Sequence, residues 1–340
     1  MHYQLDSCKY EELFIISFNS SITNYKYSRD LNNKVDFSNY HFYLFEVFES
    51  LKTKNLFLIT KRIMNLNVYI MNEDKLYKRL EHNLEIVYFK CYTNNIDKEF
   101  LISSTKKNIY IYDASNQFNK LSTIDSDINI NNTLLIFNIK REDYIVYSLD
   151  DCLTSLRVLK HGNKVERIIV IKNCIDKFLI YWHNNITEKD YLILLCAKKV
   201  IIINLFEDEI YDEIIIDSNS IYFHGYIYSK NCNNYLCFSS INGYIIIYDL
   251  FNKDILKKIT CPKCKLIEIF SLSERYLVSS DCNLSEFIII DIEQGKIINS
   301  YRNDNKDCIY NVKTINYKNY GRCILTCGTN KRIHLWRTFI

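Results

Sequence analysis

The chain has 340 residues, 48% of them apolar and 24% charged, a composition typical of globular proteins rather than of disordered ones. Its 43 basic and 40 acidic side chains give a formal charge of +3, so no global field attracts nucleic acid or anionic lipid. No secretion leader is apparent, and Lys198 and Lys199 interrupt the most apolar stretch, so we expect a soluble intracellular chain in the cytoplasm or nucleus.

Strand-like runs recur from the start of the sequence to its end. We anchor each unit at the last residue of its second hairpin strand, and the anchors fall near residues 28, 72, 113, 160, 204, 249, 291 and 337. A period of about 44 residues with four such runs is typical of propeller blades. The sequence therefore predicts an all-β propeller of four-stranded blades that spans residues 1–340 as one domain.

The N-terminal unit leaves the number of blades open. Runs at 13–19, 22–28 and 35–37 fit an eighth unit anchored at Ser28, whereas the last unit ends at Ile340 with only three strands. Propellers commonly complete one blade with strands from both chain ends, which removes the exposed edge at the seam. We therefore expect seven or eight blades in a ring that is closed by pairing of the two chain ends.

The unit at residues 220–259 shows all four runs, and its second and third strands meet at Asn242 and Gly243. An Asn-Gly pair between two apolar runs indicates a β-hairpin, because both turn residues can accept positive φ with little strain. The middle strands are apolar on both faces, as in sheets that are covered on both sides. No gap between runs carries the helical apolar period that an α/β fold requires.

Several motifs resemble a known repeat family. Residues 326–337 read TCGTNKRIHLWR, with Trp336 in the last position but one, and the dipeptides that end at Asp113, Asp249 and Asp291 resemble a Trp-Asp pair whose Trp is replaced. Together with the Asn242-Gly243 turn, these motifs resemble those of a divergent WD-repeat β-propeller. The resemblance covers nearly the whole chain in spacing and four or five units in residue identity.

The same resemblance implies a buried Asp-His-Ser-Trp network in each blade. The chain departs from the family because most units lack the Gly-His pair that supplies the histidine, and only His41 and His82 fall near its place. The fold prediction does not depend on this network, because apolar burial at roughly 25 cal/mol per Å² exceeds the contribution of a few hydrogen bonds.

No motif in the sequence predicts catalysis or a cofactor. Cys261 and Cys264 form a CxxC pair between two units, but structural zinc needs four ligands and no second pair follows, so we predict no metal. Hydrolase, kinase and metalloprotease signatures are absent, and the 7 histidines form no constellation. We expect a chain without enzymatic activity. Its 13 cysteines, Cys196 and Cys237 among them, are interpreted as small buried hydrophobes rather than a disulfide frame.

Two basic stretches give a candidate binding rim. Its members are Lys52, Lys54, Lys61, Arg62, Lys257, Lys258, Lys263 and Lys265. Such a rim is a candidate for RNA contact, although most basic runs are only solvated loops.

By resemblance, the function expected is a non-catalytic scaffold that holds protein partners in an intracellular complex. Two alternatives stay open: a non-catalytic subunit of an RNA-modifying or RNA-processing complex, and a phosphoinositide or trafficking effector, although direct lipid contact is not expected because the paired-arginine motif of such propellers is missing. A Lys/Arg cluster on one rim favours either alternative, and a neutral aromatic patch favours protein scaffolding.

Overall fold

The computed structural model describes residues 10–17, 45–61, 63–71, 75–93, 98–126, 130–139, 142–149, 155–160, 164–170, 176–196, 198–207, 209–215, 222–230, 233–240, 242–261, 266–281, 286–302, 309–316, 322–328 and 332–338. All regular elements in these ranges are β-strands, which confirms the predicted all-β class. The described ranges contain no helix that could span a lipid bilayer.

The strands pair into seven four-stranded antiparallel sheets. Sheets 1 to 3 are formed by β2 (Phe45–Glu49), β3 (Leu56–Lys61), β4 (Asn65–Ile70), β5 (Lys75–Glu81); β6 (Ile86–Thr93), β7 (Glu99–Thr105), β8 (Asn108–Asp113), β9 (Asn119–Asp125); and β10 (Ile130–Ile139), β11 (Glu142–Leu149), β12 (Ser155–Lys160), β13 (Lys164–Val170).

The remaining sheets follow the same order along the chain. Sheets 4 to 6 are formed by β14 (Asp176–Asn184), β15 (Lys189–Cys196), β16 (Val200–Asn204), β17 (Ile210–Ile214); β18 (Tyr222–Lys230), β19 (Asn233–Ser240), β20 (Tyr244–Asp249), β21 (Asp254–Thr260); and β22 (Leu266–Ser271), β23 (Tyr276–Asp281), β24 (Glu286–Asp291), β25 (Lys296–Arg302). Sheet 7 combines β26 (Ile309–Asn316), β27 (Arg322–Gly328) and β28 (Arg332–Thr338) with β1 (Tyr10–Ser17), which pairs antiparallel with β28.

The first strand of each sheet lies innermost. Each of these inner strands contacts the inner strand of the next sheet, in the order β2, β6, β10, β14, β18, β22 and β26, and β26 contacts β2. The turns between first and second strands and those between third and fourth strands lie at the same end of the sheets, which we call the hairpin end. The opposite end, where one sheet leads into the next, is the link end.

The predicted anchors agree with the ends of the third strands to within one residue wherever they are described. The last residues of β8, β12, β16, β20 and β24 are Asp113, Lys160, Asn204, Asp249 and Asp291, and Arg337 is the last but one of β28. The anchors at residues 28 and 72 lie outside the described residues. The strand period read from the sequence is therefore the period of the sheets, and four-stranded propeller blades are confirmed.

Each sheet is buried on both faces, because its neighbours cover both. All five residues of β16 are buried, which a sheet with one solvated face would not allow. One apolar cluster joins sheets 3 and 4 through residues such as Val146 and Leu192, and the next joins sheets 4 and 5 through residues such as Ile193 and Phe238. Alternate residues of one strand thus pack against different neighbours.

The turn at Asn242 and Gly243 closes the predicted hairpin between β19 and β20. The loop has three residues, since Ser240 pairs with Tyr244, and Gly243 N donates to Ser240 O at 3.0 Å. Of the two turn residues, only Gly243 has positive φ, at 75°. A turn followed by a left-handed glycine is the usual three-residue hairpin, in which Asn242 needs no unusual backbone.

Every pairing of a third with a fourth strand is interrupted at the same place. The register shifts by one residue at the equivalent position of the third strand in all seven sheets, including the pairing of β28 with β1. A bulge of this kind re-aims the side chains that follow it. In sheets 1 and 5 the residues directly after the bulge are Lys78 and Lys257.

Both lysines reach across to the next sheet. Lys257 Nζ donates to the carbonyls of Ile292 at 2.8 Å and Glu293 at 2.5 Å, in the turn between β24 and β25. Lys78 Nζ donates to the carbonyl of Gln117 at 2.6 Å and to that of Phe118 at 3.2 Å, in the corresponding turn of sheet 2. The bulge therefore gives neighbouring sheets a polar connection at their outer edge.

Among the cysteines whose side chains the structure describes, four follow the prediction and one does not. Cys237, Cys261 and Cys323 are free and buried, and Cys91 is free and half-buried. Cys196, however, is disulfide-bonded, so its interpretation as a free buried thiol is wrong.

We expect Lys257→Met to lower the free energy of unfolding by about 1 to 3 kcal/mol, because two carbonyls lose a charged donor. Urea denaturation followed by circular dichroism measures this difference. Lys52→Met, at an exposed turn position, is the matched control and should change stability by less than about 0.5 kcal/mol. Equal stability of the two variants would contradict a connecting role for Lys257.

Candidate protein-interaction surfaces

The aspartates of the family motif close turns. Asp249 Oδ1 accepts hydrogen bonds from the backbone N of Phe251 and Asn252, both at 2.9 Å. Asp113 Oδ1 accepts from the backbone of residues 115 and 116 in the same way. Asp291 accepts from Gln294 N at 2.9 Å and from the Arg275 guanidinium at 2.6 Å. These carboxylates therefore fix the turns before the outer strands, a structural role.

Trp336 lies in the buried seam between sheets 6 and 7. Its Nε1 donates to Thr326 Oγ1 at 2.9 Å, which satisfies the indole N–H inside an apolar cluster. This is the Ser/Thr–Trp part of the network that the family resemblance implies.

His82 completes more of that network in sheet 2. It is buried, its Nδ1 lies 3.2 Å from Leu80 O and its Nε2 lies 2.6 Å from Ser103 Oγ. The Tyr112 hydroxyl lies 3.3 Å from the same Nε2, so a tyrosine stands where the family has tryptophan. Burial lowers the pKa of His82 to about 4, which keeps the imidazole neutral near pH 7. The other candidate histidine, His41, lies outside the described residues.

The predicted basic rim is divided between different parts of the fold. Lys52 and Lys54 are exposed on the turn between β2 and β3, at the hairpin end. Lys61 lies at the link end of β3, where its ammonium is largely buried, 3.8 Å from Glu85, and its pKa is lowered by burial. Lys257 is engaged by carbonyls of sheet 6.

The other rim residues add no second cluster. Lys258 lies on the outer strand β21 with its Nζ 3.8 Å from the centre of the Tyr244 ring. Arg62, Lys263 and Lys265 lie outside the described residues, as does Cys264 of the CxxC pair. The described rim lysines therefore do not form one continuous surface.

The turn that carries Lys52 and Lys54 is held in place by the next sheet. Glu99, at the start of β7 and almost fully buried, accepts hydrogen bonds from Ser50 Oγ at 2.7 Å and from Leu51 N. Lys54 N donates to Ser50 O at 2.8 Å, and Lys54 has a positive φ of 58°. The backbone of the turn is thus held in place, and both exposed lysines project from it at the hairpin end.

A charged cluster lies on three adjacent inner strands, and the sequence did not predict it. Lys313 of β26 forms an ion pair with Glu46 of β2 at 3.5 Å, and Lys90 of β6 interacts electrostatically with both. The three residues pair with equivalent positions of their second strands: Leu325, Ile59 and Ile102. They therefore lie at one level, three residues or roughly 10 Å from the hairpin end at about 3.3 Å per residue.

The surroundings of this cluster are largely apolar. Lys313 Nζ lies 4.7 Å from the centre of the Phe270 ring, and His224 packs between the rings of Phe270 and Phe178. Burial lowers the pKa of His224 well below its usual value, and both lysines lower it further, so the imidazole is neutral. Burial also lowers the pKa of Lys90, against the opposing effect of Glu46.

An apolar patch is exposed at the outer part of the hairpin end. Phe206 and Ile210 of sheet 4 are 49% and 59% exposed, and Phe251 of sheet 5 is 52% exposed. The two sheets are fastened here, because Lys253 Nζ donates to Tyr211 O at 2.8 Å and lies 3.7 Å from the centre of its ring. Phe206, Ile210 and Phe251 thus lie at the hairpin end of two sheets that are joined to each other, and we call these three residues the aromatic patch.

A cleft of about 350 Å³ adjoins the aromatic patch between sheets 3 and 4. Its lining includes Phe206, Tyr144 and four carboxylates, those of Glu142, Glu188, Asp190 and Glu207. These groups are partly paired: Lys189 Nζ lies 2.8 Å from both Glu207 oxygens, and Asp190 accepts from Tyr181 and His183. No group of three or more metal-ligating side chains with suitable geometry occurs in the described part of the chain.

His82 gives a pH-dependent prediction. Its pKa is about 4 when folded and about 6.5 when unfolded, so the unfolded chain takes up this proton first as the pH falls. The free energy of unfolding should therefore decrease from pH 6.5 to pH 4. His82→Gln should be less stable at pH 7.5 by roughly 1 to 3 kcal/mol and lose part of this pH dependence.

Chemical denaturation at pH 7.5, 6, 5 and 4 measures both effects. Ser103→Ala is the control, since it removes one hydrogen bond but leaves His82 buried and titrating. The assignment would be wrong if His82→Gln kept the full pH dependence of the parent chain.

The comparisons with known proteins agree on the fold. No protein-family model and no curated protein sequence matches the chain. Among solved structures, it is similar to BBS1N in a crystal structure of its complex with ARL6DN, with a TM-score of 0.67 and 8% identity over 86% of this chain and 91% of that one. It is also similar to the β-propeller domain of Myceliophteria thermophila Cps50 (Swd1), with a TM-score of 0.64 and 14% identity over 86% and 95% of the two chains. The chain therefore has a β-propeller fold.

Proposed function

We propose that this chain is a non-catalytic protein-interaction subunit of a multiprotein assembly and that the aromatic patch is its docking surface. The observation that carries the proposal is the exposure of Phe206, Ile210 and Phe251 on two adjacent sheets. Aromatic side chains are enriched at the centre of protein interfaces, and contiguous exposed apolar residues mark interaction sites. The patch is rigid, because the Lys253–Tyr211 contact joins its two halves.

We further infer a WD-repeat-like ring of seven blades that is closed by β1. The pairing of β1 with β28 carries the same register shift, at the same place, as the six other outer strands. The contact of β26 with β2 supports the same inference. A ring closed in this way holds a rigid surface for partners, since no sheet edge is left free at the seam.

The described distribution of basic residues favours protein docking over the two alternatives. An RNA-complex subunit or a phosphoinositide effector calls for a convergent Lys/Arg rim. Lys61 and Lys257 are instead engaged within the fold, and Lys52 lies at the opposite end of β3 from Lys61. BBS1N, which is similar in fold, has been crystallised in complex with ARL6DN, so propellers of this shape do carry protein partners.

We also propose an intracellular location, in the cytoplasm or the nucleus, on the evidence of the sequence. Affinity purification of the tagged chain from its own cells in mild salt, with and without nuclease, tests the proposed function. We expect a stoichiometric set of proteins that nuclease does not remove. Recovery of the chain alone, or of partners that depend on RNA, would contradict the scaffold proposal.

The double variant Phe206→Ser/Phe251→Ser locates the docking surface. Loss of two exposed aromatic anchors should reduce recovery of at least one partner by tenfold or more, because such residues often contribute 2 kcal/mol or more each. The matched control is Leu121→Ser, which changes a residue of similar exposure on the outer strand of sheet 2. Equal partner recovery with both variants would show that the aromatic patch is not the docking surface.

A further inference from the structure

The charged cluster on the inner strands holds two ammonium groups beside one carboxylate. Among the described residues, Lys90 forms no hydrogen bond or ion pair but interacts electrostatically with Glu46, whereas Lys313 is paired with Glu46 at 3.5 Å. The two lysines therefore share the carboxylate of Glu46. His224 and Cys91, the other titratable groups near the cluster, are both neutral, because burial lowers the pKa of the imidazole and raises that of the thiol.

Two ammonium groups that share one carboxylate away from bulk water are costly, and a bound anion reduces that cost. The cluster is accessible from water, since the side chains of Glu46 and Lys313 are 17% and 20% exposed and Lys90 is half-buried. The neighbouring ring of Phe270 provides an apolar wall for the aliphatic part of an acidic side chain.

The hairpin end offers further positive charge on the path to the cluster. Lys52 and Lys54 lie on the turn that follows the inner strand β2, six and eight residues beyond Glu46. Because β2 ends at Glu49, three residues beyond Glu46, the turn begins roughly 10 Å from the cluster at about 3.3 Å per residue. An extended segment of four or five residues spans that length, so neighbouring acidic side chains can meet the cluster and the turn together.

We propose that the hairpin end of the inner-strand ring binds an acidic segment of a protein partner. One Glu or Asp carboxylate lies between Lys90 and Lys313, and neighbouring carboxylates lie against Lys52 and Lys54. The order of the β2–β3 turn, which Glu99 fixes, keeps the outer pair of ammonium groups in place. This site is separate from the aromatic patch, so the two proposals can be tested independently.

The test uses the full chain and a fluorescein-labelled hexaglutamate peptide, with labelled hexaglutamine as the uncharged control. Fluorescence anisotropy at about 0.1 M salt, where screening acts over roughly 10 Å, measures binding. We expect hexaglutamate to bind and hexaglutamine not to bind. Lys90→Met should weaken hexaglutamate binding by tenfold or more, and Lys313→Met, as a second variant, should weaken it as well.

Two further variants separate a binding site from a merely structural cluster. Glu46→Gln removes the competing carboxylate and should strengthen hexaglutamate binding severalfold, an effect that loss of structure cannot produce. Lys258→Met, on the outer strand β21, should change binding less than twofold. Circular dichroism confirms that each variant is folded before it is compared.

Three outcomes would overturn the proposal. These are unchanged hexaglutamate affinity in folded Lys90→Met and Lys313→Met, equal binding of hexaglutamine, and weaker binding in Glu46→Gln. Inorganic phosphate at constant ionic strength provides a further arm. Displacement of the peptide by millimolar phosphate would assign the cluster to a small anion rather than to a protein segment. None of these outcomes depends on the partners recovered with the aromatic-patch variants.

Discussion

The structure depends on one packing constraint: each sheet must bury both of its faces, and only neighbouring sheets can cover them. Strand β16 shows this in its extreme form, with every residue buried, and apolar clusters continue from one sheet into the next. Such burial contributes about 25 cal/mol per Å² and needs no particular side-chain geometry. This is why the fold tolerates the replacement of most motif residues of the family that the chain resembles.

Polar contacts between sheets are fewer and more specific. They arise where a bulge in the outer strand turns the next residue toward the following sheet, as at Lys78, Asp212 and Lys257. Asp212 accepts a hydrogen bond from the Tyr248 hydroxyl, whereas the two lysines donate to backbone carbonyls. The position of the contact is therefore the same in each sheet, whereas the donor and acceptor groups differ. This is expected when the bulge in the backbone, rather than a fixed residue pair, creates the contact.

The hairpin end of the molecule is divided by charge. Exposed lysines and the inner-strand cluster occupy the part that belongs to sheets 7, 1 and 2, and the carboxylate-lined cleft occupies sheets 3 and 4. The aromatic patch borders the acidic part. Because opposite charges steer the approach of a partner and fix its register, such a division orients a bound protein more than it increases affinity.

The sequence alone determined the class, the strand period and the four-stranded units, because strands buried on both faces leave long apolar runs at a regular spacing. It also identified the turn-closing aspartates and Trp336, since short polar residues after a strand have a local role. The Asn242-Gly243 pair identified a hairpin, but its loop length depends on strand register, which a dipeptide does not reveal.

Only the tertiary structure decided which residues meet. Glu46, Lys90 and Lys313 are far apart in the sequence and come together because β2, β6 and β26 lie side by side. Phe206 and Phe251 are exposed although each stands in an apolar stretch that looks like core. The predicted rim lysines do not lie together, because residues at the two ends of one strand lie at opposite ends of the molecule. Their spacing in the sequence does not show this.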